Sequence, residues 1–162
     1  MIRPLQIALV SSFALCSTYA NADWQYRNQT DKMTDAKVTF STLESNNSLS
    51  LGFPYQGSNY GTITIRKNGR SSPHVYVSVE KGQILCNSWD RCVIKVRFDS
   101  SPPMSFAGAP PSDHSSTHVF LSPEKKFIDH ASKATKILVE LPIFQAGNQT
   151  LEFFTSAKLS NK

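Results

Sequence analysis

The chain has 162 residues, 40% hydrophobic and 18% charged, with 17 Lys and Arg against 12 Asp and Glu, a net charge of +5 and a pI near 9.2. A chain of that size forms one domain and needs neither a metal nor a dense disulfide framework to fold. With only seven glycines and no phosphate-cradling glycine loop, a nucleotide site is excluded, and the basic balance points to acidic partners instead.

Residues 1–22 read as a cleaved secretory signal: Arg3 supplies the positive start, Leu5 to Leu15 the apolar run, and Ala20-Asn21-Ala22 the small-x-small cleavage pattern. The apolar run is shorter than the roughly 20 residues a membrane helix needs, so the mature chain is expected to have no transmembrane segment and to be periplasmic or secreted. Leu15 before Cys16 speaks against a lipid anchor. Residues 23–162 then form a single β-rich domain with a frayed tail from about residue 156.

Trp24 and Tyr26 begin a strand. Ala36, Val38, Phe40 and Thr42 alternate with polar residues, and after an Asn46-Asn47 turn so do Leu49, Leu51 and Phe53, which predicts a hairpin. Ile63 and Ile65 mark a strand ending at Asn68-Gly69, and Val75, Val77 and Val79 another ending at Lys81-Gly82. The stretch from Lys81 to Asp99 carries Cys86 and Cys92, an even pair in an oxidising compartment and thus a disulfide. Cys92, Ile94, Val96 and Phe98 share one side of an extended run, and Gln83 to Cys86 is read as its hairpin partner, with Asn87 to Arg91 as the loop. Closing so short a loop restricts the unfolded chain by roughly 2.4 kcal/mol, a staple and not the fold.

Prolines 102, 103, 110 and 111 bracket Met104 to Ala107, which predicts an edge strand. Thr117 to Leu121 is another strand. Ser122-Pro123-Glu124 then signals a helix with Ser122 as N-cap and Phe127, Ile128 and Ala131 on its apolar face. Ile137 to Leu141, stopped by Pro142, and Gln149 to Thr155 complete the set. Short strands at this spacing with one late helix predict a mainly β, single-domain β-sandwich, with a small closed β-barrel as the alternative.

No catalytic set emerges. The serines lack a nucleophile elbow, and the cysteines are spaced unlike a redox C-x-x-C pair. His114 and His118 beside Asp113 run through loop into strand, which favours a solvated loop over a metal site. His74 and His130 have no evident partner. Basic residues are scattered and not interleaved with aromatics, which argues against nucleic acid. Neither a cofactor nor a metal is expected. The candidate partner surface is Tyr55 and Trp89 on loops, with Arg97 and Asp99 at the end of the central strand.

Pro54-Tyr55-Gln56-Gly57, Ile65-Arg66, Lys81-Gly82-Gln83, the Cys86/Cys92 pair, Arg97-Phe98-Asp99 and Leu151-Glu152-Phe153 resemble small exported bacterial proteins, mostly uncharacterised, over nearly all of the mature chain. The Arg-Phe-Asp strand end and the Ser-Pro helix followed by a strand are similar to periplasmic accessory proteins associated with type VI secretion. The resemblance implies a periplasmic or secreted β-domain and carries over no catalytic residue. The functional expectation is a non-enzymatic binding or accessory module of the bacterial envelope, whose partner is a protein or an anionic envelope component. An inhibitor or immunity-type protein presenting the Asn87 to Arg91 loop is the alternative, and a hydrolase using Asp99 or Asp113 a third reading.

Overall fold

The computed structural model describes residues 23–69, 71–86 and 92–160. Within them the chain forms β1 (Gln25–Thr30), β2 (Lys37–Ser48), β3 (Tyr60–Asn68), β4 (His74–Val79), β5 (Cys92–Phe98), β6 (Met104–Ala109), β7 (His118–Ser122), α1 (Glu124–Ala131), β8 (Lys136–Ile143) and β9 (Gly147–Phe154). The protein is thus mainly β with one late helix among the described residues. The strands bond in the order β1-β2-β3-β4-β7-β6-β5-β8-β9 as a single antiparallel sheet that is not closed into a barrel. The signal expected over residues 1–22 lies outside the described residues, as does Trp89.

Period two decides which side of each strand is buried. Val75, Val77 and Val79 of β4, Ile94, Val96 and Phe98 of β5, and Ile137, Val139, Leu141 and Ile143 of β8 all point into one core, their neighbours out of it. The sheet folds over on itself, so that Leu151 of β9 packs on Gly61 of β3, where any Cβ would collide with the leucine side chain. Its layers are therefore parts of one sheet sharing one interior.

Helix α1 carries the chain from β7 across to β8 and stops one end of that interior. Phe127 and Ala131 are its buried residues, and the Phe127 ring meets Phe98 at 5.4 Å and Phe106 at 5.7 Å, both edge-on. Removing that ring from water is worth about 3 kcal/mol at most. Ser122 is the last residue of β7 and not the cap; Pro123 takes the N-cap position without a side-chain bond, and Glu124 supplies the acid in the first turn.

Several expectations for pairing are corrected. Asn46-Asn47 is not a turn: β2 runs through it to Ser48, and Leu49 to Phe53 is not a strand, although Leu49 and Leu51 are still buried. β6 is interior, between β5 and β7, because its prolines stand outside the strand and cost the ladder no N–H. β8 passes through Pro142, which pairs with Asn148. The Cys86–Cys92 bridge is present, with Cα atoms 5.2 Å apart, but it does not pin a hairpin. β5 pairs with β6 and β8, while Ile84 bridges to Ile143 and Leu85 donates to the Pro142 carbonyl at 2.8 Å. The bridge thus ties β5 to the segment that extends β8's pairing past β5. It lies on β6, where a Cβ at Gly108 would sit 2.7 Å from both sulfurs.

The two ends of the sheet meet through side chains. Asn47 Oδ1 accepts from the Glu152 amide at 2.7 Å and its Nδ2 donates to the Thr150 carbonyl at 2.9 Å, while Asn46 Oδ1 accepts from the Phe154 amide at 2.6 Å. Two carboxamides of β2 therefore serve the outer edge of β9 where a further strand would otherwise stand. Below that seam, Asp23 Oδ1 accepts from the amides of Ser156 at 2.8 Å and Ala157 at 3.1 Å, the Tyr26 hydroxyl accepts from the Ser160 amide at 2.7 Å, and Leu159 is buried. Residues 156–160 are held against the start of the domain.

Candidate functional site

The residues facing away from the core divide the outside of the sheet into two unlike walls. Across β5, β8 and β9, cations meet carboxylates or a ring: Lys95 pairs with Glu140 at 3.1 Å, Lys136 with Glu152 at 3.5 Å, and the Lys136 ammonium lies 4.8 Å from the Phe154 ring centre. Solvated pairs of this kind contribute under about 1 kcal/mol each, but they offset most of the charge on that wall, where Lys95, Arg97 and Lys136 stand against Glu140 and Glu152.

Across β2, β3, β4 and β7 the outward positions are mainly aromatic, hydroxyl and imidazole, with Glu44 and Arg66 among them. The register aligns them in rows, Thr42 beside Thr64 beside Tyr76 beside Phe120, flanked by Phe40, Arg66 and His74 on one side and Thr62, Ser78 and His118 on the other. Ring centres lie 5.4 Å apart for Tyr76 and Phe120, 5.9 Å for Tyr76 and His118, and 6.1 Å for His74 and Phe120. Phe40, Tyr76, Phe120 and His118 are half-buried and His74 is exposed. A recess of about 400 Å³ opens between Phe40 and Tyr76 with Thr42 and Thr64 among its lining and Gln25 and Arg27 of β1 at its margin. The Arg27 guanidinium stands 5.1 Å over the Phe40 ring, so cation and aromatic face the recess together. Thr64 is only 4% exposed, so its neighbours roof it although it faces outward.

The residues singled out in the sequence fall elsewhere. Asp99, at φ +47°, lies beyond β5 and does not share a strand face with Arg97. Its Oδ1 accepts from the Thr135 amide at 3.0 Å, the Thr135 hydroxyl at 3.2 Å and the Lys136 amide at 2.9 Å, fastening the end of β5 to the start of β8. Burial pushes its carboxyl up, but those bonds outweigh it and hold it below the usual carboxylate value. Arg97 Nε donates to the Ser101 carbonyl at 3.1 Å. The Tyr55 hydroxyl accepts from Gln83 Nε2 at 3.1 Å while its ring packs on the core, as a lid and not as an exposed anchor. Trp89 and the rest of the loop between the cysteines are outside the described residues.

Asp113 Oδ1 accepts from the Ser115 amide at 3.0 Å, a local turn contact. It precedes β7 whereas Asp99 follows β5, and as both strands run antiparallel to β6 the two carboxylates stand at opposite ends of the sheet. His118 Nδ1 lies 2.8 Å from the Thr117 hydroxyl, and His130 stacks on Phe98 at 5.2 Å. Among the described residues no group of three His, Cys, Asp or Glu side chains is placed to hold a metal ion, and no helix is long and apolar enough to cross a membrane.

Comparisons with protein-family models, with curated proteins and with solved structures return no match. The functional reading therefore rests on the chemistry of the aromatic wall. The wall had a sequence signal: Tyr76 between Val75 and Val77, and Phe120 between Val119 and Leu121, put a large ring on the outward phase of a buried-face alternation, where a charge is usual. What brings those rings together is the β4–β7 ladder, which only the sheet order reveals.

Proposed function

We propose that the protein is a non-enzymatic binding module of the bacterial envelope, exported to an oxidising compartment and gripping its partner through the wall formed by β2, β3, β4 and β7. The observation that carries this is the row of Tyr76 and Phe120 with Phe40 and two imidazoles on a rigid sheet surface. Aromatic groups held by a sheet lose little freedom when covered, and they dominate the energetics of protein contacts. The disulfide fits an oxidising compartment, and the basic balance favours an acidic protein or an anionic envelope component as the partner.

The test is capture from envelope extract with the mature protein as bait, beside a Tyr76→Ser/Phe120→Ser double variant and a Lys95→Ser control on the charged wall. The proposal expects one species captured by the wild type and the control and lost by the double variant, whose fold is checked by circular dichroism. Equal capture by the folded double variant would sink it.

A further inference from the structure

The terminal strands of the sheet are treated differently. β9 has its outer edge served by Asn46 and Asn47, whereas among the described residues β1 pairs with β2 on one side only and all six of its residues are exposed. Free edges invite pairing, and proteins usually guard them with proline, lysine, an irregular register or an inward charge. Among the described residues β1 has none of these; its one charge is Arg27, and the 156–160 segment reaches it through the Tyr26 hydroxyl. Gln25-Tyr26-Arg27-Asn28-Gln29-Thr30 pairs with β2 in unbroken register, contains no proline, and turns its only charge over Phe40 on the outer face.

The same edge borders the recess of the aromatic wall, so a strand laid along it would place alternate side chains beside Gln25 and Arg27. The electrostatics beside the edge favour an anion. Arg27, Lys32, Lys37 and Arg66 are exposed around β1 and outnumber the carboxylates of Asp23, Asp31 and Asp35 by one, although Asp31 offsets part of the Arg66 charge. A second copy of this basic chain would add like charge at that place.

We infer that β1 is a strand-addition site, which takes an extended acidic segment of a partner protein as a further antiparallel or parallel strand with its alternate side chains over the recess. The inference rests on the binding-module reading and names the class of partner for it.

Backbone amide exchange on the unmodified mature protein tests it, with a synthetic peptide alternating valine and glutamate as the probe. Controls are a proline-interrupted version, which cannot form a ladder, and a version with lysine for glutamate. Slowing of exchange by about tenfold or more within residues 25–30, with the glutamate peptide only, is expected. Arg27→Glu should weaken that peptide's binding by about tenfold. No protection of β1, equal protection by the interrupted peptide, or protection that rises with protein concentration alone would overturn it, the last by showing a second copy as the occupant. If β1 stays unprotected while the Tyr76→Ser/Phe120→Ser variant still loses its envelope partner, the edge inference fails and the wall reading stands. Protection of β1 with capture unaffected by the wall variant separates the two the other way.

Discussion

Gly108→Ala isolates what the disulfide packs against. Gly108 does not have the positive φ that excludes alanine, so backbone conformation alone permits the substitution. The added methyl carbon would stand 2.7 Å from both sulfurs and 3.1 Å from Val119 Cγ2. The first two distances are well inside van der Waals contact and the bridge is fixed at both ends, so β5, β6 or the 83–86 segment must shift. Overpacking of this size costs about 1–3 kcal/mol. In the reduced protein the two thiols rotate away independently, leaving the milder Val119 contact. Against that, alanine restricts the unfolded chain and returns about 0.4–1 kcal/mol. The cost should therefore appear when oxidised and fall to near zero, or change sign, when reduced. With a urea slope of about 2 kcal/mol/M, a 2 kcal/mol penalty moves the oxidised midpoint by about 1 M. Urea unfolding of both proteins with and without reductant reads the difference, after mass spectrometry confirms the thiol state. An equal penalty in both states would refute the reasoning.

Three further outcomes are expected. Asn47→Ala leaves the Glu152 amide and the Thr150 carbonyl without their partner and should cost about 1–3 kcal/mol, with faster amide exchange in β9 than in β4; unchanged exchange at Glu152 would count against the seam. Phe127→Ala empties the stopper of the interior and should cost about 3–5 kcal/mol by denaturant unfolding, whereas Ile128→Ala at the half-buried position beside it should cost less. The carboxyls of Asp23, Asp31, Asp99 and Asp129 are all held below their ordinary value, so each contributes stability that is present above the unfolded value near 3.9 and is lost as pH falls through the lower folded value. Thermal midpoints of Asp99→Asn across the acid range should fall less steeply than those of the wild type; parallel curves would show that Asp99 does not act this way.

Alternation made the buried faces of β4 and β5 legible, because each strand has one wet and one dry side and its residues declare which. Cys86 and Cys92 suggested their bridge through their even count and the export expected from residues 1–22, and the bridge is present. Their surroundings were not legible. Ile84 is as apolar as a hairpin partner would be, but what it pairs with is Ile143, 59 positions away, and nothing local announces such a ladder. Asn46 and Asn47 carry turn chemistry in most settings, and here the same carboxamides reach sideways to β9. Asp99 looked like a reactive end of a strand because its amide bonds come from Thr135 and Lys136, which approach only through the β5–β8 pairing. The aromatic wall followed the same rule: each ring was visible, and their meeting was not.

The bridge also has a bearing on fragmentation. β1 to β4 adjoin the remaining strands through the β4–β7 ladder and the two asparagines, while Cys86 and Cys92 fall on either side of the division between these parts of the chain. Peptide cleavage between the two cysteines would leave a two-chain molecule that runs as one species until thiol is added. Thereafter only hydrogen bonds and the shared interior would hold the pieces, so their separation would become a direct measure of non-covalent cohesion between the halves.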